Sequence, residues 1–153
     1  MSSRLFQNIR EKRGLVYSIY SMQNPYHDAG SLVVYAGTAH DKAAQVVELT
    51  VKEFAVMREQ LVSREELKRA KECIKGAITL GLESSSSRMT NLAQQMIYYG
   101  RLYEMEEVLR AVERVTARDI RNLANSIFDP SQFTLTALCG GNGADLKSVS
   151  MDV

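Results

Sequence analysis

The stretch Ser2-Ser3-Arg4-Leu5-Phe6-Gln7-Asn8-Ile9-Arg10-Glu11-Lys12-Arg13-Gly14-Leu15-Val16-Tyr17 decides how this chain reads. Leu5, Phe6 and Ile9 fall on one side of an amphipathic helix that ends at Gly14. From Leu15 the period changes to the alternation of a strand. Arg10 lies in the last helical turn and Tyr17 at the strand entry. A sharp turn at Gly14 is therefore expected to let a guanidinium and a phenol converge on one point.

Working outward, Ser18 to Met22 continues the first strand, with Tyr17, Ile19 and Ser21 expected on one face and Ser18, Tyr20 and Met22 on the other. The turn formers from Asn24 to Gly30 separate it from a second strand, Ser31 to Gly37, as an antiparallel hairpin. Asp41 is the expected N-cap of a helix from Lys42 whose stripe is Val47, Val51, Phe54, Met57 and Leu61. Ser63 and Glu66 form a capping-box pattern for a second helix running to about Leu82. The serines 84–87 suit a bend or the cap of the next helix, striped by Met89, Leu92, Met96 and Ile97 and stopped by Gly100. Met105 to Val115 is a short helix, and Thr116 with Asp119 caps another that Asp129-Pro130 terminates. Phe133 to Leu138 reads as a third strand.

Strands clustered early and helices afterwards point to an α+β fold: a three-stranded antiparallel sheet covered on one face by helices. Residues 1–140 are expected to form the domain and residues 141–153 a flexible tail.

Composition narrows the function classes. Of 153 residues, 45% are hydrophobic and 24% charged, enough for a packed core and unlike a disordered chain. A formal charge of +1, with acidic and basic residues interleaved as in Arg64 to Glu72, gives no field for drawing in nucleic acid or an anionic membrane. No apolar run reaches the roughly 20 residues that span a bilayer, and no secretory signal layout is present, so the expected compartment is the cytoplasm. Cys73 and Cys139 are far apart and are expected as buried thiols, neither bridged nor ligating. His27 and His40 have no second histidine at helical spacing.

The opening stretch, S-S-R-L-F followed by I-R-E-K-R-G-L-V-Y, resembles the segment that opens the second half of a pitrilysin/insulinase-type zinc metallopeptidase unit, the group of the mitochondrial processing peptidase. The later S-R-E-E-L-K-R-A-K, Y-Y-G-R and V-T-A-R-D-I segments are similar to the same family in the same order, over roughly residues 1–140. The family's inverted His-x-x-Glu-His zinc motif has no counterpart here. The resemblance therefore implies the latter part of a zinc-free half-unit, belonging to an endopeptidase or processing protease whose zinc is held by a partner half-unit.

It further implies that Arg10 and Tyr17 contact the substrate carbonyl near that metal, as oxyanion-stabilising donors would. On spacing alone the alternative stands open: Arg10 as a solvated residue favoured by the helix dipole, and Tyr17 as a half-buried strand aromatic. Relatives that have lost the zinc motif act as presequence-binding or structural subunits, so a non-catalytic peptide-binding subunit is the rival function. In the family a further strand and helix precede this opening stretch. The first strand is thus expected to leave an open edge, which favours self-association.

Overall fold

The structure is a computed structural model that describes residues 3–140, 146 and 149–151. The chain forms two compact units, Met1–Gln60 with Leu123–Val153, and Leu61–Asn122.

The first unit begins with a wide helix, Phe6–Glu11, of π type, in which the Lys12 N–H donates to the Gln7 carbonyl at 3.0 Å. It ends where Gly14 takes a left-handed φ of +60°. The Gly14 N–H donates to the Arg10 carbonyl and the Leu15 N–H to the Ile9 carbonyl, so the last carbonyls of the helix are satisfied as the chain turns into a strand. Strand β1 (Val16–Pro25) pairs antiparallel with β2 (Gly30–Thr38). The connecting loop is residues 26–29, closed by a bond from the Tyr26 N–H to the Ala29 carbonyl.

The register departs from simple alternation at one point. Val16 pairs with Thr38 and Ser18 with Gly37, so Tyr17 is the extra residue of a β-bulge. The expected facing of Tyr17 with Ile19 is corrected by this: Val16 and Ile19 are buried three positions apart and Tyr17 is 76% exposed. Ile9, Val16, Ile19 and Val46 form the core, with Leu5, Phe6, Leu15, Val34, Ala36 and Leu49 packed around them. The last two of those named first in the core, Ile19 and Val46, come from the hairpin and from helix α1 (Ala43–Glu59), so α1 covers one face of the sheet.

Asp41 does not cap α1. The chain enters through a 3-10 turn, His40–Lys42, in which the Lys42 N–H bonds to the Ala39 carbonyl, and Lys42 occupies the capping position without a side-chain bond. On the later part of α1, Phe54 stacks on Phe128 with ring centroids 4.2 Å apart and lies 5.9 Å from Phe133. Asn125 donates to the Arg58 carbonyl at 3.1 Å beside them.

The expectation of a third strand is also corrected: among the described residues the sheet has two strands, and Phe133–Leu138 pairs with neither. A groove of about 1250 Å³ separates this segment from β2, floored by Val46, Val47 and Phe54 of α1. A strand needs a neighbour about 5 Å away to close its hydrogen bonds, and among the described residues no ladder bond closes on this segment.

The second unit contains α2 (Arg64–Gly81), α3 (Ser85–Tyr99), α4 (Met105–Arg114) and the first part of α5 (Ala117–Ile127). Its helix starts follow the sequence. Ser63 accepts from the Glu66 N–H at 3.1 Å, Ser84 from the Ser87 N–H at 3.4 Å, and Thr116 and Asp119 cap each other reciprocally. Gly100, at φ +68°, closes α3. Glu72 pairs with Lys75, 2.6 Å away, and Lys75 also reaches Glu113 at 3.2 Å. Lys75 thereby holds the Glu72 carboxyl below its ordinary range, with Lys68 adding a weaker field.

The expected tail falls largely outside the described residues. Cys73 and Cys139 form no disulfide, and both are exposed rather than buried. Cys73 lies on the outward side of α2, and Cys139 follows Leu138, which is itself fully exposed.

Candidate functional site

The candidate site is the corner where the π-helix meets β1. Side-chain hydrogen bonds hold the corner in place. Asn8 donates to Glu53 of α1 at 2.6 Å, its own oxygen accepts from Lys12 at 3.0 Å, and the Thr38 hydroxyl donates to the Leu15 carbonyl at 2.5 Å. Arg13 donates to the Asn8 carbonyl. Lys12 and Arg13 are thus occupied in fixing the end of the helix. Arg10 is exposed, and its guanidinium lies over the ring of Phe6, 4.9 Å from the centroid. That contact orients a cation without neutralising it.

Tyr17 reaches solvent because the bulge takes it out of the pairing pattern. Bulges commonly re-aim a side chain beside a working site. Both predicted residues therefore lie on the same short helix-to-strand corner and are exposed, and no hydrogen bond joins them among the described residues. A guanidinium and a phenol so presented are hydrogen-bond donors able to meet an oxygen that gains negative charge.

Zinc requires three protein ligands in one place, and among the described residues no group of three or more His, Cys, Asp or Glu side chains could hold an ion. His27 is in the hairpin loop and His40 in the 3-10 turn before α1.

Residues 1–73 match the family profile described as the peptidase M16 inactive domain. The chain belongs to the M16 peptidase family, as an inactive-domain segment. It is 34% identical over 128 residues to an uncharacterized zinc protease, YmxG, of Bacillus subtilis strain 168, a match covering 84% of this chain and 31% of that protein. An uncharacterized zinc protease of Rickettsia bellii is 36% identical over 142 residues, covering 93% of this chain and 34% of that protein. The M16 segment thus spans about a third of the length of the curated relatives it matches. Among solved structures, a peptidase M16 inactive domain from Pseudomonas fluorescens superposes with a TM-score of 0.70 at 25% identity, over 82% of this chain and 30% of that one. A chain of complex III from Candida albicans has the same fold, with a TM-score of 0.73 at 20% identity over 82% of this chain and 30% of that chain.

Simple strand alternation does not predict the bulge at Tyr17 or the cross-strand stacking of Tyr20 on Tyr35. A signal for the bulge was present: Val16 and Ile19, the two apolar residues most suited to a core, are spaced by three rather than two.

Proposed function

We propose that this M16 segment serves a zinc-dependent endopeptidase or processing protease as part of its metal-free half, binding peptide and contributing Arg10 and Tyr17 to the transition state. A partner half-unit, in the same or another chain, supplies the zinc. The observation that carries this reading is the bulge, which presents an exposed phenol on a corner whose neighbouring cation is already oriented by Phe6. Substrate carbonyl oxygen gains charge when attacked, and donors waiting for that charge lower the barrier.

The test is Tyr17→Phe in the chain assayed with its zinc-bearing counterpart. The expected result is a loss of about a hundredfold in kcat with KM little changed, as for removal of one oxyanion donor. A rate equal to that of the unsubstituted chain would remove Tyr17 from the chemistry and favour a non-catalytic peptide-binding or structural subunit.

The same proposal places residues 1–140 in one domain of the longer protein and the protein in the cytoplasm. No helix among the described residues is long and apolar enough to cross a membrane. Retention of this segment by an osmotic-shock fraction, instead of by the spheroplast interior, would overturn the placement. Self-association belongs to it as well: among the described residues the first strand pairs only with β2, and an open strand edge pairs with other chains. Light scattering after size-exclusion chromatography is expected to show dimers at high concentration, and monomer throughout would refute this.

A further inference from the structure

Arg10 and Tyr17 are held from separate sides of their corner. On the strand side, the Thr38 hydroxyl donates to the Leu15 carbonyl, two positions before Tyr17. On the helix side the hub is Asn8, two positions before Arg10. Its side-chain amide donates to Glu53 Oε1 on α1 at 2.6 Å, and its Oδ1 accepts from Lys12 Nζ at 3.0 Å. The amide dipole thus lies between a carboxylate and a cation, each end against the charge it favours, and both bonds are charge-assisted. The Asn8 carbonyl accepts from Arg13, so the same residue engages the other two cations of the helix end.

The surroundings of Asn8 explain why this tie acts on Arg10. Ile9 is fully buried and Phe6 packs beside the core, which holds the short helix against the sheet. Apolar burial is non-directional, however, and leaves rotation about the helix axis loosely set. A short hydrogen bond to a residue 45 positions away, in a part-buried setting, is directional and sets it. The helix is also of π type, a rare form found chiefly at functional sites, and at six residues it is too short to keep its form by its own backbone bonds.

We infer that Asn8, through its bond to Glu53, is the positioning residue for Arg10: it fixes the rotation of the short helix and so aims the guanidinium. The inference rests on the proposed function and goes beyond it, because Asn8 and Glu53 act through Arg10 and not on substrate. A long side chain magnifies any turn of the helix that carries it, and misplacing a reacting or stabilising group by about 1 Å costs up to about a hundredfold in rate.

The experiment uses the chain with its zinc-bearing counterpart on one peptide substrate, with kcat referred to the folded fraction that circular dichroism gives for each variant. Asn8→Ala and Glu53→Ala are each expected to lower kcat about tenfold with KM little changed. Asn8→Asp sets a second carboxylate against Glu53 and should fall at least as far. Adding Glu53→Gln to Asn8→Asp should restore the rate, because the new amide then donates to the new carboxylate, which still accepts from Lys12: the same bond with donor and acceptor exchanged. In an Arg10→Ala background, Asn8→Ala should cost nothing further, as for residues that act as one unit. An unchanged kcat in Asn8→Ala, no recovery in the exchanged pair, or an equal loss with Arg10 already removed would each overturn the inference. Arg10→Ala alone reports on the proposed function: a wild-type rate takes Arg10 out of the chemistry, whereas a slow Arg10→Ala beside a fully active Asn8→Ala overturns the positioning role alone.

Discussion

Gly14 holds the corner that carries Arg10 and Tyr17, and its substitution separates backbone strain from steric overlap. Its φ is +60°, and nothing lies within 4 Å of the position a Cβ would take. In Gly14→Ala the new methyl group therefore meets no neighbour, and the cost is that of placing an L-residue in the left-handed region, about 1–2 kcal/mol. The unfolded chain of the variant is less free than that of wild type, which offsets about 0.4–1 kcal/mol of this. The net destabilisation is about 1 kcal/mol, a fall in Tm of about 2–4 °C for a chain of this size. D-alanine at the same position has the opposite handedness and takes φ +60° without strain. It keeps the unfolded-state advantage, so it is expected to stabilise by about 0.4–1 kcal/mol. Peptide ligation introduces the D-residue, and urea and thermal melts of the three proteins are the assay. If the L-alanine protein melts at or above the wild type, or the D-alanine protein falls as far as the L-alanine one, the left-handed corner is not the conformation in solution.

Two further outcomes follow from other parts of the structure. Phe128 is 5% exposed and stacks on Phe54, so Phe128→Ala should cost about 3–5 kcal/mol in a denaturant titration; a loss under 1 kcal/mol would mean that this cluster is not packed. Asp119 is held below its ordinary carboxylate range, first by the Thr116 hydroxyl and then by the Thr116 N–H. A carboxyl depressed by folding stabilises above its unfolded-state pKa, and the contribution fades as pH falls through the lower folded value, below about pH 4. Thr116→Ala should therefore shift the Asp119 titration upward when followed by carboxyl NMR, and an unmoved titration would refute the reciprocal cap.

Local chemistry was legible in the sequence wherever a few adjacent residues settle the outcome. The caps at Ser63, Ser84 and Thr116, the stop at Gly100 and the turn at Gly14 each depend on a side chain or a φ within three or four positions, and each stands as read. Arg10 and Tyr17 were legible as residue types, and their placement on one exposed corner follows from the helix ending where glycine permits it.

The remainder was decided by contacts distant in sequence. Phe133–Leu138 has the composition of a strand, but strand pairing is completed by a neighbour, and the groove beside β2 leaves it without one among the described residues. The stripe of α3 was readable, yet Met89, Leu92, Met96 and Ile97 stay exposed, because periodicity marks an apolar face without supplying what covers it. The bulge at Tyr17 depends on how two strands register over a buried Ile9, and the stacking of Tyr20 on Tyr35 depends on which residues that register sets opposite each other. The caps at Ser63, Ser84 and Thr116, the turn at Gly14 and the hairpin are settled by nearest neighbours along the chain, and so were readable from it. Which side chains face solvent, and that Tyr20 stacks on Tyr35, are set by the fold, since burial and register are properties of pairs far apart in sequence.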